Sequence, residues 1–337
     1  MKIAVLMSGG VDSSVAAWLL KEQGHEVGGL TMINWDANIV QKAQAAAGFL
    51  GIEHCFINLR KEFEEQVINY FCQAYARGET PNPCVVCNRT VKFGVLLEAA
   101  RKMGYDMVAT GHYARIIYEA ERNRYLLKKG LDNRKDQSYF LYALKQEQLA
   151  RIVFPLGDMT KSAVKALARQ RGLQAAENPE SQEICFIADD YRNFLQDRIV
   201  CDSGEIVNVE GRQLGSHKGL AFYTTGQRKG LGISAGHPVY VVGKDLENNR
   251  LILDEEQYLF SRELKAVNGN LIYIDKLDSP LRVTAKIRYR AAEAPATIFP
   301  DNDGIKVEFD QAQRAITPGQ SVVFYIDDYV LGGGVIK

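Results

Sequence analysis

The sequence predicts a doubly wound parallel α/β domain, followed by a small β-rich central domain and a C-terminal antiparallel β-barrel. Over about the first 110 residues, apolar strand runs alternate with amphipathic helical patterns, which is typical of a parallel sheet covered by helices on both faces. Beyond residue 200, short β-rich runs are separated by Gly, Asn, Asp and Pro. We expect domains at 1–198, 199–262 and 263–337.

The individual elements follow from hydrophobic periodicity and from helix-stop residues. The run IAVLM predicts a buried strand, and the next segment has apolar residues at helical spacing before Gly24 ends it. The same reasoning predicts strands at 3–7, 25–33, 53–59 and 105–111, and helices at 11–23, 38–51, 61–77 and 89–104. Helical patterns continue at 146–154 and 160–172. Later strand runs lie at 237–244, 250–254, 270–275, 282–290, 305–310 and 321–327.

Composition excludes several classes of protein. The chain has 337 residues, with 41 Lys and Arg against 41 Asp and Glu, and 46% hydrophobic residues, so disordered and fibrous classes do not fit. Its apolar runs are far shorter than the roughly 20 residues of a membrane span, and its first residues fit a strand and turn better than a signal peptide. We therefore expect no membrane contact and a cytoplasmic location. In the cytoplasm, six cysteines are better interpreted as reactive groups or metal ligands than as disulfides.

The sharpest local motif is Ser8-Gly9-Gly10-Val11-Asp12-Ser13-Ser14, between a strand and a helix. Two glycines let the backbone approach a polyphosphate, and the N–H groups of the first helical turn complement its charge. Asp12 beside phosphates suggests that it handles Mg²⁺. The alternative is a glycine turn whose Asp and Ser only cap the helix.

This motif resembles the SGGxDS signature of the PP-loop ATP pyrophosphatases. The resemblance implies cleavage of ATP between its α and β phosphates, attachment of AMP to a substrate oxygen and release of pyrophosphate. It leaves amino acids, nucleotides, NAD precursors and RNA open as substrates.

The cysteines fall into two groups. Cys55 and Cys72 lie in apolar patterns and are interpreted as buried hydrophobic residues, and no role is expected for Cys201. Cys84 and Cys87 lie in a proline-stiffened loop before a helix, whose N-terminus would lower their pKa and make them candidate thiolates. Cys185 lies in a second polar loop. On its own, CxxC also fits a redox pair or half of a zinc site.

These cysteine segments are joined by ATGHYAR, KDQSYFLY, TTGQRKGLGI, IRYR, TPGQSVVFY and LGGGVI. Together they resemble the tRNA-specific 2-thiouridylases of the MnmA/TrmU type nearly from end to end. The resemblance implies replacement of the C2 oxygen of the tRNA wobble uridine by sulfur, at the anticodon. It places ATP contacts at Leu6, Met7, Ser8, Gly9, Gly10, Val11, Asp12, Ser13, Met32 and Gly111.

The same resemblance assigns the remaining site residues. Cys87 matches the catalytic thiol and Cys185 its persulfide-bearing partner, while Asn82-Pro83-Cys84 would meet the target base. Further tRNA contacts fall on His112, Lys135, Asp136, Gln137, Arg288, Tyr289 and Gln320. For His112, a structural hydrogen bond is the alternative to a substrate contact. The implied partners are tRNA and a sulfur donor such as a cysteine desulfurase, a relay protein or free sulfide.

The chain departs from the family at two places. Many members have aspartate where this chain has Cys84, so three thiols, Cys84, Cys87 and Cys185, would share one pocket. Persulfide chemistry needs two thiols, whereas three suit a 4Fe–4S cluster with one open iron. This count favours a cluster, with persulfide or disulfide chemistry as the alternative. The stretch after Asn34-Trp35 is also shorter than in many members.

The zero net charge conceals three basic segments without acids. They contain Lys161, Lys165 and Arg169; Arg212, Lys218, Arg228 and Lys229; and Arg282, Lys286, Arg288 and Arg290. Each is either a solvated face or part of a surface that binds RNA phosphates. One competing function is a PP-loop ligase for a small molecule or another RNA base. The other is a noncatalytic RNA-binding module, which would leave the motif at residues 8–14, here called the phosphate loop, unexplained.

Overall fold

A computed structural model describes residues 1–34, 38–173, 184–187 and 190–337. The N-terminal region contains the following elements in chain order: β1 (Lys2–Leu6), α1 (Val11–Glu22), β2 (Glu26–Ile33), α2 (Asn38–Leu50), β3 (His54–Asn58), α3 (Arg60–Phe63), α4 (Asn69–Ala76), α5 (Pro83–Val86), α6 (Leu96–Lys102), β4 (Met107–Ala109), β5 (Ala114–Glu119), β6 (Arg124–Lys129), α7 (Gln146–Leu149), β7 (Ile152–Val153), α8 (Lys161–Gln170) and α9 (Tyr191–Gln196). Two π-helical segments, Glu64–Ile68 and Cys87–Val95, connect α3 to α4 and α5 to α6.

The first sheet is parallel and has the strand order β3-β2-β1-β4-β7. Ile3 and Val5 of β1 pack with apolar residues of α1, α2 and α8 on one face. Ala4 points to the other face and packs against the core that contains Phe63, Phe71 and Leu96. Burial on both faces explains why the strand is apolar throughout, and the predicted doubly wound α/β domain is confirmed.

Two parts of this region differ from the sequence prediction. The helical pattern at 146–154 forms only the short helix α7, and Ile152–Val153 is instead the edge strand β7 beside β4. Residues 114–129, for which we predicted no strands, form the β5–β6 hairpin. A two-residue edge strand carries too little periodicity to be distinguished from the helix that precedes it.

The β-rich regions form two further sheets. The central strands are β8 (Gly204–Val207), β9 (Gln213–His217), β10 (Tyr240–Asp245) and β11 (Arg250–Asp254), in the order β10-β11-β8-β9. The C-terminal strands are β12 (Phe260–Leu271), β13 (Leu281–Lys286), β14 (Ala294–Asp301), β15 (Gly304–Arg314), β16 (Ser321–Ile326) and β17 (Tyr329–Ile336).

The C-terminal strands close into the predicted antiparallel barrel. Their order is β12-β15-β14-β13-β16-β17, and pairing of β12 with β17 completes the ring around an apolar core. The β5–β6 hairpin extends this sheet, since Tyr329 of β17 pairs with Lys128. The barrel also shares buried residues Val323, Tyr325 and Val330 with the N-terminal core. The described residues contain no helix with the length and apolarity that a membrane span requires.

The strand order locates the ligand crevice. The chain moves from β1 outward to β2 and β3, and then returns to the other side of β1 to form β4. Ligands of open parallel sheets bind at such a reversal, beyond the carboxyl ends of the two central strands. The loops that follow β1 and β4 therefore define the candidate site.

Candidate active site

The phosphate loop connects β1 to α1. Gly9 has a φ of +70°, and a Cβ atom there would lie 2.4 Å from Lys42 Cβ and 2.5 Å from the Lys42 carbonyl carbon. Only glycine fits this position, because the loop lies against the backbone of α2. No side chain caps α1 at Gly10, so backbone N–H groups of its first turn are left for an anion.

The loop after β4 lies directly against the phosphate loop. A Cβ atom on Gly111 would come within 2.7 Å of the Asp12 carbonyl carbon and 2.9 Å of Ser13 N. The two loops therefore meet at the reversal point of the sheet, and residues on both sides of the contact enter one cavity.

This cavity has a volume of about 240 Å³. Its lining contains seven of the ten predicted ATP positions, and also His112 and Gln137, which the resemblance assigned to tRNA. The lining residues are Leu6, Met7, Ser8, Asp12, Ser13, Leu30, Met32, Ile39, Lys92, Leu96, Thr110, Gly111, His112 and Gln137. Gly9, Gly10 and Val11 belong to the loop itself. Which ligand each residue contacts stays a prediction.

Asp12 is held by two side chains. Lys161 Nζ lies 2.7 Å from each Asp12 carboxylate oxygen, and the Tyr113 hydroxyl donates to Asp12 Oδ1 at 2.7 Å. Lys161 is buried and begins α8, which Thr160 caps by accepting from Ala163 N. Lys161 is therefore committed to the phosphate loop, and both alternatives for it, a solvated face and an RNA-binding surface, are wrong. Helical spacing alone did not reveal a carboxylate 149 residues away in the chain.

His112 forms the structural hydrogen bond that was one of its two predicted roles, and its contact with substrate stays a prediction. Its Nδ1 lies 2.6 Å from Thr110 Oγ1, its ring packs between Phe93 and Phe154, and it also lines the cavity. Burial, and secondarily the charge of Lys92, holds the pKa of His112 well below its usual range. The imidazole is therefore neutral near pH 7 and suits hydrogen bonding better than proton transfer.

The cysteine loop begins a helical run. Pro83 occupies the first position of α5, where its missing N–H costs no hydrogen bond. Cys84 and Cys87 are three residues apart and therefore lie on one face. Cys87 is 7% exposed, while Cys84 and Cys185 are open to solvent. Residues 181–183, which precede Cys185 in its motif, lie outside the described residues.

The three thiols lie close enough to interact electrostatically. Burial raises the pKa of Cys87 to about 12, Lys92 opposes this shift, and Cys185 and Cys84 add to it. Although Cys84 and Cys185 reach solvent, the protein packed around them partly desolvates both thiols and raises their pKa, again opposed by Lys92. The convergence agrees with the predicted pocket. The prediction that the helix N-terminus lowers the pKa of Cys84 and Cys87 is wrong, because the surrounding protein dominates a four-residue helix.

The barrel holds the cysteine loop in position. Gln320 Nε2 donates to the carbonyl of Thr80 at 2.9 Å, and Thr80 N donates to the Pro318 carbonyl at 2.8 Å. Asn82 is buried and hydrogen-bonds to Tyr139, whose hydroxyl donates to the Ser321 carbonyl. Gln320 and Asn82, both predicted to contact tRNA, thus have supporting roles in this structure.

Three of the remaining predicted tRNA positions, Tyr289, Arg288 and Asp136, make contacts within the protein. Tyr289 packs on Phe140 with a ring separation of 4.5 Å, and Arg288 donates to the Arg314 carbonyl. Asp136 is 7% exposed and accepts hydrogen bonds from Gly130 N, Ser138 N and the Ser138 hydroxyl. This burial makes Asp136 a residue that holds its loop. Lys135 is half-buried beside it.

Comparison with known proteins agrees with this architecture. Family models match residues 1–189 (tRNA methyl transferase HUP domain), 192–254 (tRNA methyl transferase PRC-barrel domain) and 261–336 (Aminomethyltransferase beta-barrel domain). The tRNA-specific 2-thiouridylase MnmA of Syntrophomonas wolfei is 51% identical over 337 residues and covers all of both chains. The chain belongs to the MnmA family of tRNA-specific 2-thiouridylases. It is therefore an enzyme of the tRNA sulfurtransferase class.

A second MnmA relative and one distantly similar solved structure are also among the matches. The protein of the same name from Acetivibrio thermocellus is 50% identical over 355 residues, which cover 100% of this chain and 99% of the relative. A solved 4-thiouridine synthetase in complex with RNA and ATP is 18% identical, with a TM-score of 0.40, and the match covers 55% of this chain and 44% of that one.

Two cationic residues at the site of this MnmA-family enzyme could not be identified as site residues from the sequence. Lys161 pairs with Asp12, and Lys92 lines the cavity and acts on the thiols. Their only sequence signal is position: Lys161 begins a helix, and Lys92 lies five residues after Cys87. Within the described part of the chain, no group of three His, Cys, Asp or Glu side chains has an arrangement that would hold a metal ion.

Proposed function

We propose that this enzyme uses ATP to adenylate the C2 oxygen of the tRNA wobble uridine, releases pyrophosphate, and then replaces that oxygen by sulfur. One observation supports the proposal: Lys92 lines the cavity between the phosphate loop and the loop after β4, and the same ammonium acts electrostatically on three thiols from two separate segments. An adenylating ligase for a small molecule has no need for these thiols.

The reaction has two half-reactions, and this explains why both the nucleotide cavity and the thiols are needed. The uracil C2 carbonyl is a poor electrophile and its oxygen a poor leaving group, and transfer of AMP to that oxygen improves both. The phosphate loop would bind the triphosphate through backbone N–H groups and the Ser8 and Ser13 hydroxyls. A sulfur nucleophile at the thiols then attacks C2, and AMP leaves.

The cavity also suits Mg²⁺. Asp12 lines the cavity, and its side chain is 34% exposed although Lys161 and Tyr113 bind it, so its oxygens remain accessible. Mg²⁺ prefers such a carboxylate together with substrate phosphates, and would supply charge neutralisation at the triphosphate. We propose that Asp12 is its protein ligand.

For the sulfur carrier, we propose that Cys84, Cys87 and Cys185 act as a unit. The number of thiols matches the donor set of a 4Fe–4S cluster, which would present one open iron to sulfide, although the three side chains are not arranged around a metal position in this structure. The same site with only Cys87 and Cys185 in use would carry out persulfide chemistry.

Cys84 separates the two sulfur carriers. Anaerobically purified protein should contain iron and acid-labile sulfide, and Cys84→Ser should lose both together with thiolation. Cys201→Ser, which changes a thiol outside the site, should retain them. Full thiolation by iron-free protein supplied with a persulfide donor would refute the cluster and leave the two-thiol route.

The proposed substrate is tested by pyrophosphate release. We expect release from ATP to depend on unmodified tRNA and to be absent with amino acids, nucleotides or other small acceptors. Release that depends on a small molecule and not on tRNA would favour the ligase and contradict the proposal.

A further inference from the structure

Lys92 occupies a position between the nucleotide cavity and the thiols. It lies on the π-helical segment Cys87–Val95 and lines the cavity together with Asp12, Gly111 and His112. The sequence motifs do not assign it a role. No ion pair engages its ammonium anywhere in the described ranges, although a half-buried lysine that faces a cavity is costly to leave without an anion.

The π-helical geometry gives Lys92 this position. In an α-helix the fifth residue after Cys87 would lie about 140° around the axis from it. A π-helical turn contains more residues, because its hydrogen bonds run from i to i+5, and this brings the fifth residue back toward the starting face. Lys92 and Cys87 can therefore face the same space, and π-helical segments of this kind are frequent at functional sites.

The electrostatics agree with this placement. Lys92 is the cation that opposes the burial-driven rise in pKa at Cys84, Cys87 and Cys185 alike. It also acts on His112, on the cavity side. A single ammonium is thus close to both the thiols and the cavity wall.

We propose that Lys92 is a further catalytic residue, whose ammonium contacts the phosphate of the adenylated uridine and the attacking sulfur during sulfur transfer. This inference rests on the proposed thiolation reaction and assigns Lys92 to its second half. Adenylation instead depends on Asp12 and the phosphate loop, at the junction of β1 and α1.

The sulfur-transfer half-reaction requires one cation close to both the attacking sulfur and the phosphate. A hydrosulfide anion from the sulfur donor forms the C2–S bond, the C2–O bond breaks, and AMP leaves with the electron pair on its phosphate oxygen. The proton of hydrosulfide becomes the proton on N3 of the product, and Lys92 neither gains nor loses one. Negative charge lies on the sulfur before the step and on AMP after it, so a fixed ammonium between them stabilises the path throughout.

The two half-reactions can be measured separately in Lys92→Met. Removal of one preorganised charge-stabilising donor typically costs about 100-fold or more in rate. We therefore expect formation of 2-thiouridine to fall at least about 100-fold, while tRNA-dependent pyrophosphate release stays within about threefold of wild type. Label from [α-³²P]ATP should accumulate on tRNA. Lys92→Arg should recover part of the lost rate, because it restores the charge.

A binding measurement provides a readout that needs neither tRNA nor sulfur. Equilibrium dialysis with AMP should show affinity about tenfold weaker in Lys92→Met and unchanged in Lys102→Met, a matched change at an exposed lysine of α6. Equal loss of both half-reactions, or unchanged thiolation and AMP affinity, would overturn the assignment. Failure of wild type to release pyrophosphate with tRNA would refute the proposed function instead, and the AMP measurement would still test the position of Lys92.

Discussion

At the scale of single residues, the site depends on charges that are paired within the protein. Asp12 has Lys161 at 2.7 Å from both carboxylate oxygens and Tyr113 at 2.7 Å from one. Without ligand, this pairing satisfies a carboxylate that would repel phosphate. In the proposed function, the partly exposed carboxylate would bind the metal of a magnesium nucleotide, and Lys161 would remain beside it as a positive charge.

Asp12→Asn tests whether the charge of Asp12 is needed for adenylation. Asparagine can still accept hydrogen bonds from Lys161 and Tyr113, but it lacks the charge for Mg²⁺. We expect tRNA-dependent pyrophosphate release to fall at least about 100-fold, which corresponds to roughly 2.7 kcal/mol of transition-state stabilisation. Binding of tRNA should stay close to wild type in a filter-binding assay.

Asp158→Asn is the matched control for this change, because its side chain is 82% exposed and pairs only at the surface with Arg115. It should leave pyrophosphate release unchanged. Turnover of Asp12→Asn at the wild-type rate would show that the charge of Asp12 has no role in adenylation.

Some residues of the site could be predicted from the sequence, and others could not. The two glycines and Asp12 could be predicted because phosphate binding imposes a local pattern. The partners of Asp12 could not, since Lys161 and Tyr113 are brought to it by the docking of α8 and by the loop after β4. The pKa of Cys87 was predicted in the wrong direction for the same reason: burial is a property of the folded chain, whereas the helix N-terminus is visible in the sequence.

At the scale of elements, the contact between the phosphate loop and α2 fixes the crevice. Gly9→Ala would place a methyl group 2.4 Å from Lys42 Cβ in a backbone conformation with φ of +70°. Gly24→Ala is a matched control, with a φ of +80° and open space around the new Cβ. The control isolates the cost of the left-handed conformation, about 1–2 kcal/mol.

We expect Gly9→Ala to lower the free energy of unfolding by about 1–3 kcal/mol more than Gly24→Ala, because the clash adds to the conformational cost. It should also weaken ATP binding, whereas Gly24→Ala should not. Urea denaturation and equilibrium dialysis with ATP measure the two effects. Equal destabilisation by both changes would mean that the loop does not lie against α2 as described.

The first strands and helices were predictable, but the strand boundaries of the barrel were not. The alternation of β1, α1, β2, α2 and β3 follows from patterns of five or more residues. The strand predicted at 270–275 is wrong beyond Leu271, where β12 ends, and β14 was not predicted. The edge strand β7 has two residues, and the prediction that 146–154 is helical failed there. The β5–β6 hairpin left a usable signal in its β-branched and aromatic residues and in Asn123, a turn residue with φ of +50°.

At the scale of the whole molecule, the basic surface is smaller than the sequence suggested. Lys161 is committed to Asp12, and Arg282 forms a bidentate pair with Asp310 at 2.7 and 2.8 Å. By contrast, Arg212, Lys218, Arg228 and Lys229 of the central domain are all exposed. Counting charges along the sequence could not distinguish the paired basic residues from the exposed ones, because the neutralising carboxylates come from distant segments.

We therefore expect the central domain to provide phosphate contacts to tRNA. Each contact contributes about 0.7–0.9 to the slope of log K against log salt concentration, so Arg228→Gln with Lys229→Gln should reduce that slope by about 1.4–1.8. Arg282→Gln, whose charge is already paired, should leave it unchanged. An unaltered slope in the double variant would exclude these two residues as phosphate contacts.

The most direct test of the account is mass spectrometry of nucleosides from unmodified tRNA incubated with the enzyme, ATP, Mg²⁺ and a sulfur source. We predict equimolar AMP and 2-thiouridine at the wobble position, in which one oxygen has been replaced by one sulfur. We also predict that Cys87→Ser and Cys185→Ser form no thiolated product yet still release pyrophosphate when tRNA is present. Thiolation that persists without either cysteine, or an unmodified wobble uridine with the wild-type enzyme, would contradict the account.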